Sequence, residues 1–178
     1  MVLKTHFSKL IIHLFFSVTA GVAFANQLDG TVVGVVDGDT ITILDSTNAQ
    51  TKIRLIGIDA PEKAQPFGER SKINLSNLVF NKSVTVLWGK RDRYGRTIGK
   101  VMVADPLCNR QDCPRTIDAN LEQVKAGLAW WYRDYAKEQS QEDQDLYEQA
   151  EFRAKIGRVG LWSDKNPMPP WGWRRESR

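Results

Sequence analysis

Residues 30–44, GTVVGVVDGDTITIL, constrain the fold more than any other segment: two β-branched runs flank Asp37-Gly38. β-Branched side chains are already stiff at χ1 and pack well on a pleated surface. Asp-Gly between two such runs is a strong hairpin signal, because both residues tolerate the backbone of a tight turn. Residues 51–58, TKIRLIGI, predict a third strand, with Ile53, Leu55 and Gly57 on one face and Arg54 and Ile56 on the other. Pro61 ends it, since proline cannot continue a central strand. SVTVLW at 83–88 reads as a fourth strand, and 96–104 as a fifth after the turn at Tyr94-Gly95.

Helical periodicity follows. Pro66 to Phe80 predicts a helix with Phe67, Leu75, Leu78 and Val79 on one stripe. Ile117, Leu121, Val124 and Leu128 predict a short second helix that stops near Gly127. Gln139 to Ile156 predicts a third, with Leu146, Ala150 and Ala154 facing inward and Gly157 as the stop. Its acidic residues Glu142, Asp143, Asp145, Glu148 and Glu151 are expected on a solvated face. Residues 164–178 are rich in Pro, Trp and Arg and predict an extended, non-helical strap on the domain, its arginines in solvent. Strands followed by helices indicate an α+β fold around a small barrel-like sheet.

Lys4 and Lys9, the apolar stretch from Leu10 to Val22, and Ala23-Phe24-Ala25 have the pattern of an export signal cleaved after Ala25. The apolar run is interrupted by His13, Ser17 and Thr19 and falls short of the roughly 20 residues a spanning helix needs. Residues 1–25 are therefore expected to be removed, leaving a single domain over 26–178 in a periplasmic or secreted setting. The only two histidines, His6 and His13, leave with the signal. The remaining chain then has no histidine base, nucleophile or metal ligand. In an oxidising compartment Cys108 and Cys113 are expected to pair and pin a loop. The formal charge of +4 permits a polyanionic partner without requiring one.

Chemistry is expected at strand ends and turns. Asp37 and Asp39 flank the first hairpin, and Asp59 and Glu62 flank Pro61. If the strands pair, Asp39 and Asp59 converge, and hard oxygen donors without a soft ligand favour Ca²⁺ or Mg²⁺ over zinc. Each aspartate alone is equally a turn former. Arg54 sits mid-strand, where a charge is unwelcome unless paired or functional. With Arg96, which follows the turn, it could hold a phosphate bidentately, and Glu62 is the carboxylate left over as a general base. Structural ion pairing, such as Arg54 with Glu62, is the competing explanation.

The strings VVDGDTITIL, IRLIGIDAPE and DRYGRTIGKV, then Asn120, Val124 and GLAWWY, in this order and spacing, resemble the staphylococcal (micrococcal) nuclease family over about residues 30–163. The resemblance implies an OB-fold five-stranded β-barrel with three α-helices. It also implies Ca²⁺-dependent hydrolysis of DNA and RNA to 3′-phosphate products. By motif position, Asp39 and Asp59 match the ligands of one Ca²⁺ ion, with the backbone carbonyl of Ala60, where the type enzyme has threonine. Arg54 and Arg96 match the catalytic arginines and Glu62 the general base. Arg93 and Tyr94 match contacts to a terminal phosphate. Tyr135 matches one of two base-pocket tyrosines; the other position falls at Arg133, or at Tyr132 if the register shifts by one. Trp130 and Trp131 belong either to the core or to the substrate groove. A monomer with no obligate protein partner and no stable membrane association is expected. A non-catalytic OB-fold nucleic-acid-binding module is the alternative; it has no use for Glu62, which would repel a bound phosphate.

Overall fold

The structure is a computed structural model that describes residues 26–110 and 112–177. The export signal expected over 1–25 lies outside the described residues. In chain order the elements are β1 (Asn26–Val35), β2 (Thr40–Leu44), β3 (Gln50–Leu55), β4 (Ile58–Asp59), α1 (Gly68–Val79), β5 (Ser83–Arg91), β6 (Thr97–Ala104), β7 (Arg115–Asp118), α2 (Ala119–Lys125), β8 (Trp130–Trp131), α3 (Gln141–Ile156) and α4 (Pro170–Glu176). Short 3₁₀ turns span Arg133–Glu138 and Gly160–Ser163.

The strands pair antiparallel in the order β3-β2-β1-β5-β6. β3 and β6 then pair in parallel, Ile53 opposite Thr97 and Leu55 opposite Gly99, which closes five strands into a mixed barrel. Closure removes the exposed sheet edges that an open five-stranded sheet would present. Alternate residues of the strands point inward: Val32, Ile41, Ile43, Ile53, Val84, Val86, Val101 and Val103 are fully or almost fully buried. Leu75 and Val79 of α1, Val124 of α2, and Tyr147 and Ala150 of α3 complete that core.

Several local expectations are corrected by tertiary structure. The third strand does not run unbroken to residue 58. Gly57 adopts φ 76, so the chain turns after Leu55 and restarts as β4, which pairs with β8. Residues 115–118 form β7 rather than helix, with Ile117 opposite Val103. The helix starts one residue later because Asp118 caps it, accepting from the backbone N–H groups of Asn120 and Leu121 at 2.9 and 3.1 Å. On α3 it is Tyr147, not Leu146, that faces inward with Ala150 and Ala154. Asp143 and Glu151 are buried rather than solvated. Asp143 accepts from Lys100 at 2.6 Å, and Glu151 accepts from Trp131 N–H, Arg133 and Lys155. The tail is not extended throughout. Residues Pro170–Glu176 form a fourth helix, which proline permits at its first turn. Cys108 and Cys113 are joined as a disulfide in the β6–β7 connection.

Two buried amides of α2 lock the barrel to the loops at its end. Asn120 donates to the carbonyls of Ile56 and Gly99 and accepts from Val101 N–H. Gln123 donates to the carbonyls of Gly38 (2.6 Å) and Ser71 (3.1 Å). Gly38 is tightly enclosed here: a methyl group would lie 2.7 Å from the side-chain carbons of Ala60 and Ser71, closer still to the Ser71 hydroxyl. Gly38→Ala is therefore expected to destabilise the protein by about 1–3 kcal/mol, the usual range for overpacking. The check is a lower urea midpoint with an unchanged slope. A variant as stable as the parent would show that the turn beside Asp39 is looser than this packing indicates.

Candidate active site

One cavity of about 690 Å³ opens at the end of the barrel, lined by residues from β3, β4, the β1–β2 loop, the β5–β6 turn, the segment after β8, and α4. It gathers Asp37, Asp39, Arg54, Asp59, Ala60, Glu62, Arg93, Tyr94, Arg96 and Tyr135 from those singled out in the sequence, but not Trp130, Trp131 or Arg133. The cysteine pair lies elsewhere.

The β1–β2 hairpin carries Asp39, whose backbone N–H donates to Asp37 at 3.1 Å. The break at Gly57 carries Asp59 round to face it. Both carboxylates are buried, with side chains 3% and 1% exposed. Asp39 Oδ2 accepts from the N–H of Ala60 at 2.7 Å, and Thr40 donates its hydroxyl to Oδ1 at 3.1 Å. Arg54, on β3 directly opposite Thr40, lies between the two aspartates: Nη1 pairs with Asp39 Oδ1, and Nη2 with Asp59 Oδ1 at 2.7 Å. The charge that looked out of place mid-strand is thus balanced by two acids, not by Glu62.

The β5–β6 turn forms the facing wall. Asp92 accepts from the backbone N–H groups of Tyr94 and Arg96, and from Arg96 Nε at 2.7 Å. Burial works against the Asp92 charge, but these hydrogen bonds and the Arg96 guanidinium outweigh it and hold the carboxyl below its ordinary range. Arg96 is thereby fixed through Nε, and its two terminal nitrogens carry no hydrogen bond among the described residues. Tyr94 is exposed, with Arg93 over its ring at 4.9 Å.

The aromatic wall comes from the segment after β8. Tyr132 and Tyr135 both line the cavity, with ring centroids 5.1 Å apart. Of the two residues left open by the register, Tyr132 lines the cavity and Arg133 does not. Arg133 turns away, over the Trp131 ring at 4.4 Å and onto Glu151 at 2.8 Å. Burial, and then the Asp59 carboxylate, push the Tyr132 phenol above its ordinary value, so it stays protonated at neutral pH. Trp131 is a core residue, and Trp130 packs edge-on against Trp162 away from the cavity lining.

One charged residue of the cavity had no signal in the sequence. Arg174 of α4 is partly exposed but does not end in solvent: it reaches Asp59 Oδ2 at 2.7 Å and Glu62 Oε1 at 2.7 Å. Its arginine-rich surroundings suggested only surface charge, and 112 positions separate it from Glu62. Lys90, paired with Glu138 at 2.5 Å, is a further cavity residue that the motifs did not indicate.

A family model described as staphylococcal nuclease homologue matches residues 52–164. The chain is 44% identical to Protein ParB of Escherichia coli over 160 residues, which is 90% of this chain and 86% of that protein. It is 43% identical to a micrococcal nuclease of Shigella flexneri over 150 residues (84% and 82%). It is 40% identical to an uncharacterized endonuclease of Haemophilus influenzae over 147 residues (83% and 73%).

Proposed function

The chain belongs to the staphylococcal nuclease family, a phosphodiester-hydrolysing nuclease acting on nucleic acid, and from that premise we propose that it is an exported Ca²⁺-dependent endonuclease that cleaves DNA and RNA to 3′-phosphate ends. The observation that carries the reading is the arrangement around Arg54. Two buried carboxylates, one from the β1–β2 loop and one from β4, hold the Arg54 cation between them, with a half-exposed glutamate at the rim and a second arginine on the facing wall.

The donor set suits a hard metal ion. Asp39 and Asp59 offer oxygens already turned towards positive charge, and no histidine or thiolate lines the cavity. These two residues, with the backbone carbonyl of Ala60, would hold one Ca²⁺. When bound, the ion supplies Lewis-acid polarisation of a non-bridging phosphate oxygen.

The chain's own residues do the rest. Glu62 Oε2, which has no partner among the described residues, accepts a proton from a water molecule as that water attacks phosphorus. A P–O bond forms from the water, and the bond to the 5′-oxygen breaks on the opposite side. The leaving oxygen takes a proton from solvent, and the phosphate stays on the 3′ end. Charge builds on the equatorial oxygens during attack, and Arg54 and Arg96 donate to them from two sides. Tyr132 and Tyr135 offer ring faces for a base. Arg93 and Tyr94, exposed on the β5–β6 turn, are suited to an adjoining phosphate.

The test is digestion of single-stranded DNA and of RNA by the chain from Asn26 onward, in Ca²⁺, in Mg²⁺ and in chelator. Cleavage is expected in calcium alone, and the products should block 3′ extension until a phosphatase is added. Retention of DNA without cleavage in every metal would leave only a binding module.

A further inference from the structure

Arg174 is carried into the cavity by a strap with three separate anchors. Gln65 donates to the Met168 carbonyl at 2.7 Å. Pro170 is buried, and Trp171 stacks on Tyr132 with ring centroids 5.2 Å apart and an interplanar angle of 14°. The guanidinium therefore arrives at a defined place rather than as a loose surface charge.

What it touches there divides the carboxylate oxygens in two. Asp59 Oδ1 faces Arg54 and, through it, Asp39. Asp59 Oδ2 accepts from Arg174 Nη2 at 2.7 Å, and Glu62 Oε1 accepts from Arg174 Nη1 at 2.7 Å. The approach of Arg174 to Asp59 Oδ1 is longer, 3.3 Å. Arg174 thus grips the Asp59–Glu62 pair from the side that Arg54 does not use, and it leaves Glu62 Oε2 free.

We infer that Arg174 is a positioning residue for hydrolysis: its planar fork ties the Glu62 carboxylate to Asp59 and so fixes the orientation in which Glu62 meets water. The inference rests on the reading of Glu62 as general base. Two neighbouring carboxylates on either side of Pro61 repel each other and, at the half-exposed rim, Glu62 has rotamer freedom to lose. A bidentate guanidinium answers both at once, because its parallel donors impose a relative geometry that a point charge cannot.

The experiment uses the full chain with Arg174→Ala, Arg174→Lys, Glu62→Gln and the Arg174→Ala/Glu62→Gln double variant, assayed on a single-stranded oligonucleotide. Arg174→Ala should lower kcat about 10–100-fold, as loss of an orienting partner does. KM should change by no more than about twofold, because the lost contact is not to substrate. Free guanidinium should restore rate to Arg174→Ala. In the Glu62→Gln background the second substitution should add nothing, since it acts through Glu62. Calcium affinity measured by calorimetry without substrate should stay within about threefold, a shift of under 1 kcal/mol.

Tighter calcium binding and faster cleavage by Arg174→Ala would overturn the inference and make the strap a plug. Unchanged kcat would overturn it as well. If the alanine variant does not fold, Arg174→Lys carries the test: it keeps the charge but spans one carboxylate, so full activity there is equally fatal. If Glu62→Gln itself keeps full activity, the base assignment has failed and takes this inference with it. An inactive Glu62→Gln beside a fully active Arg174→Ala defeats the inference alone.

Discussion

Replacing Glu62 with glutamine is expected to lower kcat on single-stranded DNA by about 10²–10⁴-fold, the contribution of a positioned general base. The substitution is nearly isosteric and keeps an oxygen for Arg174, so the geometry at the rim survives while basicity is lost. Glu62 is half-exposed, so thermal stability should hardly change. Nucleotide affinity should be retained or rise slightly, because removing the carboxylate removes repulsion of the phosphate. Single-turnover rates and oligonucleotide affinity, measured side by side, check both halves of the expectation. No histidine lines the cavity, and among its other carboxylates Asp39 and Asp59 pair with Arg54, Asp92 with Arg96 and Glu138 with Lys90. A variant with more than a tenth of the parent's kcat would transfer the proton-accepting role to another group.

Arg54→Met is expected to have two effects that move in opposite directions with calcium. Arg54 is the cation between two buried carboxylates. Removing it leaves buried Asp39 without a cation and Asp59 with Arg174 alone, which costs about 3 kcal/mol or more in the calcium-free protein. Saturating calcium should then recover much of that loss, since a ligand that binds only the folded state stabilises it by mass action. Activity should not recover with it. The lost fork donated to the oxygens on which charge grows, and a single such donor is worth about 10²–10³ in kcat. Unfolding curves with and without calcium, beside kcat in calcium, separate the two. A calcium-independent loss of stability would mean that the Asp39–Asp59 pair does not take up the ion. Stability restored together with activity would remove Arg54 from the chemistry.

The motif residues were legible because they lie on elements whose local signals are strong. β-Branched alternation around Asp37-Gly38 fixed a hairpin that sets Asp39 at its tip, and the IRLIGI run put Arg54 mid-strand. Their convergence needed pairings between strands far apart in sequence. The parallel β3–β6 pairing closes the barrel and brings the Arg96 turn opposite Arg54, and the left-handed Gly57 turns Asp59 back towards Asp39. The second base-pocket position stays open between Arg133 and Tyr132 in the sequence, because no local signal says which of two neighbours faces a cleft. In the fold, the Arg133 contacts to Trp131 and Glu151 take it away from the cavity that Tyr132 lines.

Where the reading failed, a short-range rule met a long-range partner. Leu146 is expected inward on apolar character, but Tyr147 can bury its ring and donate its hydroxyl to Asp118 at 2.8 Å, so the inward stripe of α3 runs through Asp143, Tyr147, Ala150 and Ala154. Glu151 looked like surface charge, yet three donors converge on it. Arg174 sat in a basic, proline-rich tail where solvent exposure was the natural expectation.

The sequence by itself determined the barrel strands, the order of the helices and the chemical kinds of residue at the site, because periodicity and turn chemistry are written within a few neighbouring positions. Only the tertiary structure decided which of those charges meet. Arg54 between Asp39 and Asp59, and Arg174 across Asp59 and Glu62, are pairings of side chains from separate elements. Burial of opposed carboxylates is tolerable only where the fold delivers a cation to them, and that delivery depends on strand closure and strap docking, which no local window contains.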